Sequence, residues 1–283
     1  MLVRTRDLWT SRMCGVLFPA QEPHMKLLAT AVCAGTLTAT LFAETVQELT
    51  TPEVFKTPSG ETLYYRLYLP KNVPADKKLP LVLFLHGAGE RGSDNSSQLK
   101  HGVMSLIRHG ITANDPAILL VPQCSNGMQW VSVPWAAKSH TMPAQPSLPM
   151  KLALALVREK LSQLPVDPLR VYVTGVSMGG YGTWDAIQRE PGLFAAAMPI
   201  CGGGDTACAP AIKHIPLWIF HGDKDGAVPV ERSRDMFNAL KACGSAAQYR
   251  EYPGAGHDVW TRTYADPAVL TWFFAQRLLP PPV

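Results

Sequence analysis

The stretch VYVTGVSMGGYGTW, residues 171–184, decides the fold. It opens with Val171, Tyr172, Val173 and Thr174, apolar or β-branched residues suited to a strand buried on both faces. Gly175-Val176-Ser177-Met178-Gly179 follows at once, and helical spacing then predicts a helix over 179–190. A sharp strand-to-helix turn forces the serine at its tip into strained backbone, and glycines two positions to either side relieve the crowding. Such a turn lifts the Ser177 hydroxyl clear of the sheet, at the positive end of a helix. As a bare pattern G-x-S-x-G is weak. Its place between a strand and a helix gives it weight.

Outward from this turn the chain alternates. Residues 53–57 and 61–69 flank Ser59-Gly60 and read as a hairpin. Continuous apolar runs at 79–85, 117–121, 194–200 and 216–220 read as buried strands, and a last strand is expected over 248–252. Helical stretches fall at 149–164, 230–242 and 266–279. Alternation of this kind predicts an α/β fold in a single domain, a mostly parallel sheet with helices on both faces. Open sheets of that kind carry their chemistry at the carboxyl ends of the strands.

A serine hydroxyl is a poor nucleophile unless a base removes its proton. Among the eight histidines, His257 stands in a glycine-rich loop, PGAGHD, directly after the last strand, in the order Ser…Asp…His that this architecture uses. His101, His109 and His140 precede the serine, His214 stands at the wrong end of a strand, and His86 and His221 read as loop-shaping residues. The acid that orients the imidazole is expected from HGDKDGAVP, residues 221–229. Asp225 lies deeper in that loop, whereas Asp223 is expected to hold the loop by bonding local amides. Asp258, adjacent to His257, is expected to point elsewhere. The oxyanion donors are expected to be the amides of Met178, opening the helix, and Ala88, in the loop after 79–85.

That loop also holds Gly87-Ala88-Gly89-Glu90-Arg91-Gly92, which matches a dinucleotide fingerprint. The fingerprint needs a helix to open at once and an acid at the end of the next strand. Here Ser93 to Ser97 prolong the loop and the next strand ends in Val121-Pro122-Gln123, so no cofactor is expected.

Four segments together, LHGAGERGSDN (85–95), GVSMGGYGTW (175–184), HGDKDGAVP (221–229) and GAGHDVW (254–260), resemble the α/β-hydrolase superfamily. They are most similar to exported bacterial carboxylesterases related to polyhydroxybutyrate depolymerases and feruloyl or acetylxylan esterases. The resemblance spans about residues 53–278. It implies Ser177 as nucleophile, Asp225 as acid and His257 as base, with no cofactor, acting on a small-molecule or polysaccharide-linked ester. No motif carries over a feruloyl or polymer site.

Composition narrows the remaining possibilities. Four of the 26 basic and two of the 22 acidic residues fall in residues 1–43, leaving 22 against 20 in the other 240. Without an excess of positive charge, a nucleic-acid partner bound through a broad basic surface is excluded. Residues 1–43 read as an upstream extension followed by a signal peptide over 25–43, with Met25-Lys26 as a basic start and cleavage near Ala43. Leu27 to Ala43, with four threonines in 17 residues, is short for a membrane span of about 20. The expected localisation is therefore periplasmic or secreted, without a stable membrane anchor, and residues 44–283 form the catalytic domain. No C-x-x-C or H-E-x-x-H occurs, so no metal site is expected. Cys124, Cys201, Cys208 and Cys243 remain after cleavage and allow three disulfide pairings or four free thiols.

Residues 125–148 are Pro- and Ser-rich and follow a strand's carboxyl end. Trp130 and Trp135 there are candidate substrate contacts, or else pack the loop down. The absence of a large helical lid favours short or polymer-borne esters. Two other functions are compatible with the motifs. A prolyl-oligopeptidase-type peptidase would need a large propeller domain to gate peptides, which the 43 residues before Glu44 and a single hairpin are not expected to supply. A binding module on a dead scaffold would not keep every triad position filled.

Overall fold

Leu79, Leu81, Leu83 and Leu85 of one strand join one core, while Val82 and Phe84, between them, join another. Successive side chains of a strand point to opposite faces, so an unbroken apolar run demands cover on both. The computed structural model, which describes residues 44–74 and 76–278, supplies it within one compact unit from Thr45 onward. The expected signal segment lies outside the described residues.

The strands are β1 (Thr51–Lys56), β2 (Thr62–Tyr68), β3 (Leu79–Leu85), β4 (Ile118–Pro122), β5 (Val166–Val176), β6 (Ala196–Ile200), β7 (Trp218–Gly222) and β8 (Gln248–Tyr252). They form an eight-stranded sheet in the order β1-β2-β4-β3-β5-β6-β7-β8. The β1–β2 hairpin and its pairing to β4 are antiparallel, and every other pairing is parallel. The main helices are α1 (Val103–Thr112), α2 (Leu148–Gln163), α3 (Met178–Arg189), α4 (Glu231–Ala242), α5 (Trp260–Ala265) and α6 (Pro267–Ala275). Helices α2, α3 and α4 bury Leu156, Trp184 and Leu240 on the face of Leu81 and Leu83. Helices α1 and α6 bury Leu106 and Phe273 on the face of Val82 and Phe84.

The expected strands and helices form, with shifted ends. Helix α1 was not expected, although Val103, Leu106, Ile107 and Gly110 are buried at helical spacing. It starts at Gly102, with φ 72° and no side-chain cap, so the usual start signal is missing. Residues 125–147 contain no helix, and no helical lid stands there. The carboxyl ends of β3, β5, β7 and β8 open on one rim, and the candidate residues follow those ends.

Candidate active site

Ser177 sits at φ 55°, ψ −117°, a conformation that costs a non-glycine residue about 1–3 kcal/mol. Surrounding backbone holds it there. Its amide donates to the Ile200 carbonyl at 2.9 Å, and it stands between β5 and α3. A Cβ at Gly179 would fall 1.8 Å from the Leu85 carbonyl oxygen, and one at Gly175 would fall 2.4 Å from the Gly179 oxygen. The two glycines are therefore steric requirements of the turn.

The loops after β7 and β8 meet over a third glycine. A Cβ on Gly222 would lie 2.3 Å from the Gly256 oxygen and 2.4 Å from the Ala255 oxygen. With hydrogen there, the Lys224 amide reaches the Ala255 carbonyl at 2.9 Å, and the two loops join. His257 Nδ1 then lies 2.7 Å from Asp225 Oδ2, and Nε2 lies 2.8 Å from Ser177 Oγ. A carboxylate only accepts, so Nδ1 carries the proton and Nε2 is free to accept from the serine hydroxyl. The edge of the His257 ring meets Trp260, with centroids 5.1 Å apart.

Asp225 has a fully buried side chain, and its Oδ1 accepts the amides of Ala227 and Val228 at 2.8 and 2.9 Å. Burial pushes its carboxyl up, but hydrogen bonds from His221, His257 and the two amides outweigh that and hold it well below the usual carboxylate range. Asp225 thus both reaches His257 and pins its own loop, the task expected of Asp223. Asp223 Oδ1 is instead buried without a hydrogen-bond partner, and that expectation is corrected. Asp258 turns away, as expected, to bond Thr261.

The β3 loop lies against the serine: a Cβ on Gly87 would be 3.7 Å from Ser177 Cβ. Ala88–Glu90 makes one 3-10 turn, and Arg91 returns to extended backbone, so no helix opens after the Gly-x-Gly. Gln123 occupies the strand end where a ribose-binding acid would stand. Its amide donates to the Glu90 carbonyl and Asp94 Oδ1, and its oxygen accepts the Asn95 amide. Arg91 was missed by the sequence reading. Its guanidinium donates to the carbonyls of Ala88 at 2.8 Å and Met128 at 3.4 Å, tying residues 125–148 to this loop.

Trp130 is not a substrate contact. It is fully buried, donates from its indole to the His86 carbonyl at 3.0 Å and packs edge-on against the His86 ring. Trp135 is half-buried, lies under the Arg91 guanidinium and accepts the Tyr181 hydroxyl at its carbonyl. A groove of about 400 Å³ runs along this segment between Met128, Val133 and Leu148, and none of Ser177, Asp225 and His257 lines it. All four described cysteines are free thiols. Cys201 Sγ comes within 4.8 Å of Asp225 and His257 ligand atoms, a grouping the sequence reading did not find. Burial pushes its thiol well up, and Sγ bonds the His257 carbonyl. A protonated thiol beside an imidazole already bonded at both nitrogens is a poor metal donor set.

The phospholipase/carboxylesterase family matches residues 72–267. A secreted protein of Arthroderma benhamiae is 26% identical over 250 residues, covering 73% of this chain and 25% of that one. A bifunctional acetylxylan esterase/xylanase of Neocallimastix patriciarum is 21% identical over 215 residues, covering 73% and 29%. The chain thus spans less than a third of either relative. The crystal structure of a thermostable esterase superposes with a TM-score of 0.74 at 39% identity, covering 81% of this chain and 63% of the other. By the extent of the family match and the fold that carries it, the chain belongs to the phospholipase/carboxylesterase family of α/β-hydrolases.

Proposed function

We propose that the protein is a serine carboxylesterase acting on short-chain or polysaccharide-linked esters through Ser177, His257 and Asp225. The observation that carries this reading is the hydrogen-bonded line from Asp225 through His257 to Ser177, at 2.7 and 2.8 Å, with the serine raised on strained backbone. Ser177 Oγ attacks the ester carbonyl as His257 Nε2 takes its proton. Met178 opens its helix, so its amide has no carbonyl a turn below to bond, and with the Ala88 amide it receives the oxyanion. The tetrahedral species collapses, His257 returns the proton to the leaving alcohol, and an acyl-enzyme remains. Water, deprotonated by His257, then releases the acid and restores Ser177. Asp225, held ionised, keeps Nδ1 protonated and stabilises the imidazolium in both halves.

The acetylxylan esterase relative supports acetyl esters on polysaccharide, and the secreted relative supports export. Among the described residues no helix is long and apolar enough to cross a membrane. Residues 125–147 provide no helix to cover an apolar trench, and an uncovered pocket gains at most about 0.8 kcal/mol per methylene. Hydrolysis of p-nitrophenyl esters from two to sixteen carbons tests the assignment, alongside acetylated xylan and methyl ferulate. kcat/KM is expected to peak at two to four carbons and fall by eight, without interfacial activation. A maximum at twelve or sixteen carbons, or a jump above the solubility limit, contradicts the open cleft.

A further inference from the structure

Asp225 has a second imidazole on it. His221, the last residue but one of β7, is fully buried, and its Nε2 lies 3.1 Å from Asp225 Oδ2, the same oxygen that His257 uses. The Val228 carbonyl is also 3.1 Å from that Nε2. Both neighbours are acceptors, so Nε2 carries a proton. With the Ala227 and Val228 amides on Oδ1 and two imidazoles on Oδ2, all four acceptor positions of a carboxylate are occupied.

On the other side of the His221 ring, Nδ1 lies 2.7 Å from Ser233 Oγ, on the first turn of α4. A hydroxyl donating into Nδ1 keeps the ring neutral with its proton on Nε2. The hydroxyl's other acceptor is the Gly202 carbonyl at 3.2 Å, and turning there would require a second proton on the ring. The other charged group facing His221 is Glu251, its register partner on β8. Glu251 is itself held by Arg234 at 2.7 and 2.8 Å. Beside Asp225 stand His257 and the Cys201 thiol, which burial keeps protonated.

We infer that His221, fixed as its Nε2–H tautomer by Ser233, is a positioning residue that aims Asp225 Oδ2 at His257 and draws off part of its charge. The inference rests on the triad reading above. Two consequences follow. Losing the His221 donor frees the carboxylate to rotate, and by analogy with the outer-shell partners of metal ligands, whose loss typically costs about tenfold to a hundredfold, a fall in activity of that order is expected. It also leaves more negative charge for the His257 imidazolium, so the proton on His257 is held more tightly and the acid limb of the pH profile moves up.

The test is the pH dependence of kcat/KM on p-nitrophenyl acetate for the full chain and four variants. His221→Leu is expected to lose about tenfold to a hundredfold in kcat, with the acid limb shifted upward. His221→Gln, which retains an N–H donor, is expected to recover most of the rate. Ser233→Ala leaves the ring but frees its tautomer, and is expected to shift the limb in the same direction with a smaller rate loss. If His221→Leu does not fold, Ser233→Ala and His221→Gln decide. Wild-type rates with an unmoved acid limb overturn the inference, and so does a rate loss that Gln fails to rescue and that leaves the limb in place. Ser177→Ala, measured in parallel, separates the two claims. If it stays active the triad reading itself falls. If it is dead while the His221 and Ser233 variants match wild type, only the role of His221 falls.

Discussion

The same dipeptide closes two strands: His86-Gly87 directly follows β3, His221-Gly222 are the last two residues of β7, and both rings are buried. They use opposite nitrogens to donate. His86 Nδ1 faces the Gly87 carbonyl at 2.6 Å, while its Nε2 accepts the Cys124 amide at 2.9 Å. His221 Nε2 faces two acceptors and its Nδ1 faces a hydroxyl. The glycines differ as well. Gly222 is locked against the backbone of the next loop, whereas a Cβ on Gly87 would meet first the end of the Glu90 side chain, at 3.0 Å. One dipeptide thus marks the end of a strand in both cases, and the loop that packs over it decides what the residues do. Over β3 the loop is a support for the serine. Over β7 it is the means of bringing Asp225 and His257 together.

The largest effect should separate the two aspartates of the β7 loop. Asp225→Asn cannot hold the His257 tautomer and is expected to lower kcat by about three to four orders of magnitude. Asp223→Asn, whose buried Oδ1 has no partner, should change it by no more than about fivefold. Ester turnover of both variants, with folding checked by circular dichroism, would move the acid to Asp223 if the ranking reversed.

Next comes the contrast between glycines. In Gly222→Ala the added carbon meets backbone at 2.3 and 2.4 Å, so the loops of Asp225 and His257 must part. A loss of about tenfold or more in kcat and a lower Tm are expected. Gly87→Ala asks only a side-chain tip to move and should stay within about fivefold of wild type. Equal losses in the two variants would break the comparison.

The smallest effect concerns His86. Burial, the larger influence, lowers its pKa from 6.5 to about 4 by penalising the charged ring, and a second proton would also break the bond from the Cys124 amide. The unfolded chain then binds more protons than the folded one across that window. Stability is therefore lost as pH falls from 6.5 towards about 4. His140, lowered to about 4 by burial and by Arg232, adds to the same slope. His86→Gln should flatten the fall of Tm between those pH values without abolishing it. An unchanged slope would contradict the assigned protonation.

These contrasts also mark what could be read in the sequence. Strands β3 and β5 were legible because a sheet covered on both faces needs unbroken apolar runs. Ser177 was legible because Gly175 and Gly179 answer to steric demands within a few residues of the turn. Helix α1 was not, since its start at Gly102 lacks a cap and its packing partner, α6, comes about 150 residues later. Trp130 stayed open between substrate contact and packing, because an indole in a loop looks available until its N–H is found on the His86 carbonyl. Asp225 was read for its reach, and it does lie within hydrogen-bond distance of His257, but its second task, and the His221 ring on its far side, depend on α4 folding back to place Ser233. Local patterns carried the chemistry that sits at turns, and long-range packing carried the support.

The central claim is that Ser177 is the nucleophile. Treatment with a p-nitrophenyl organophosphonate, followed by mass spectrometry of the digested chain, tests it directly. A single stoichiometric adduct is expected on Ser177, with ester turnover lost in proportion. The Ser177→Ala variant should take up no label and retain less than about a thousandth of the turnover. An adduct on another residue, or a Ser177→Ala variant that keeps more than about a tenth of wild-type kcat, would contradict the account.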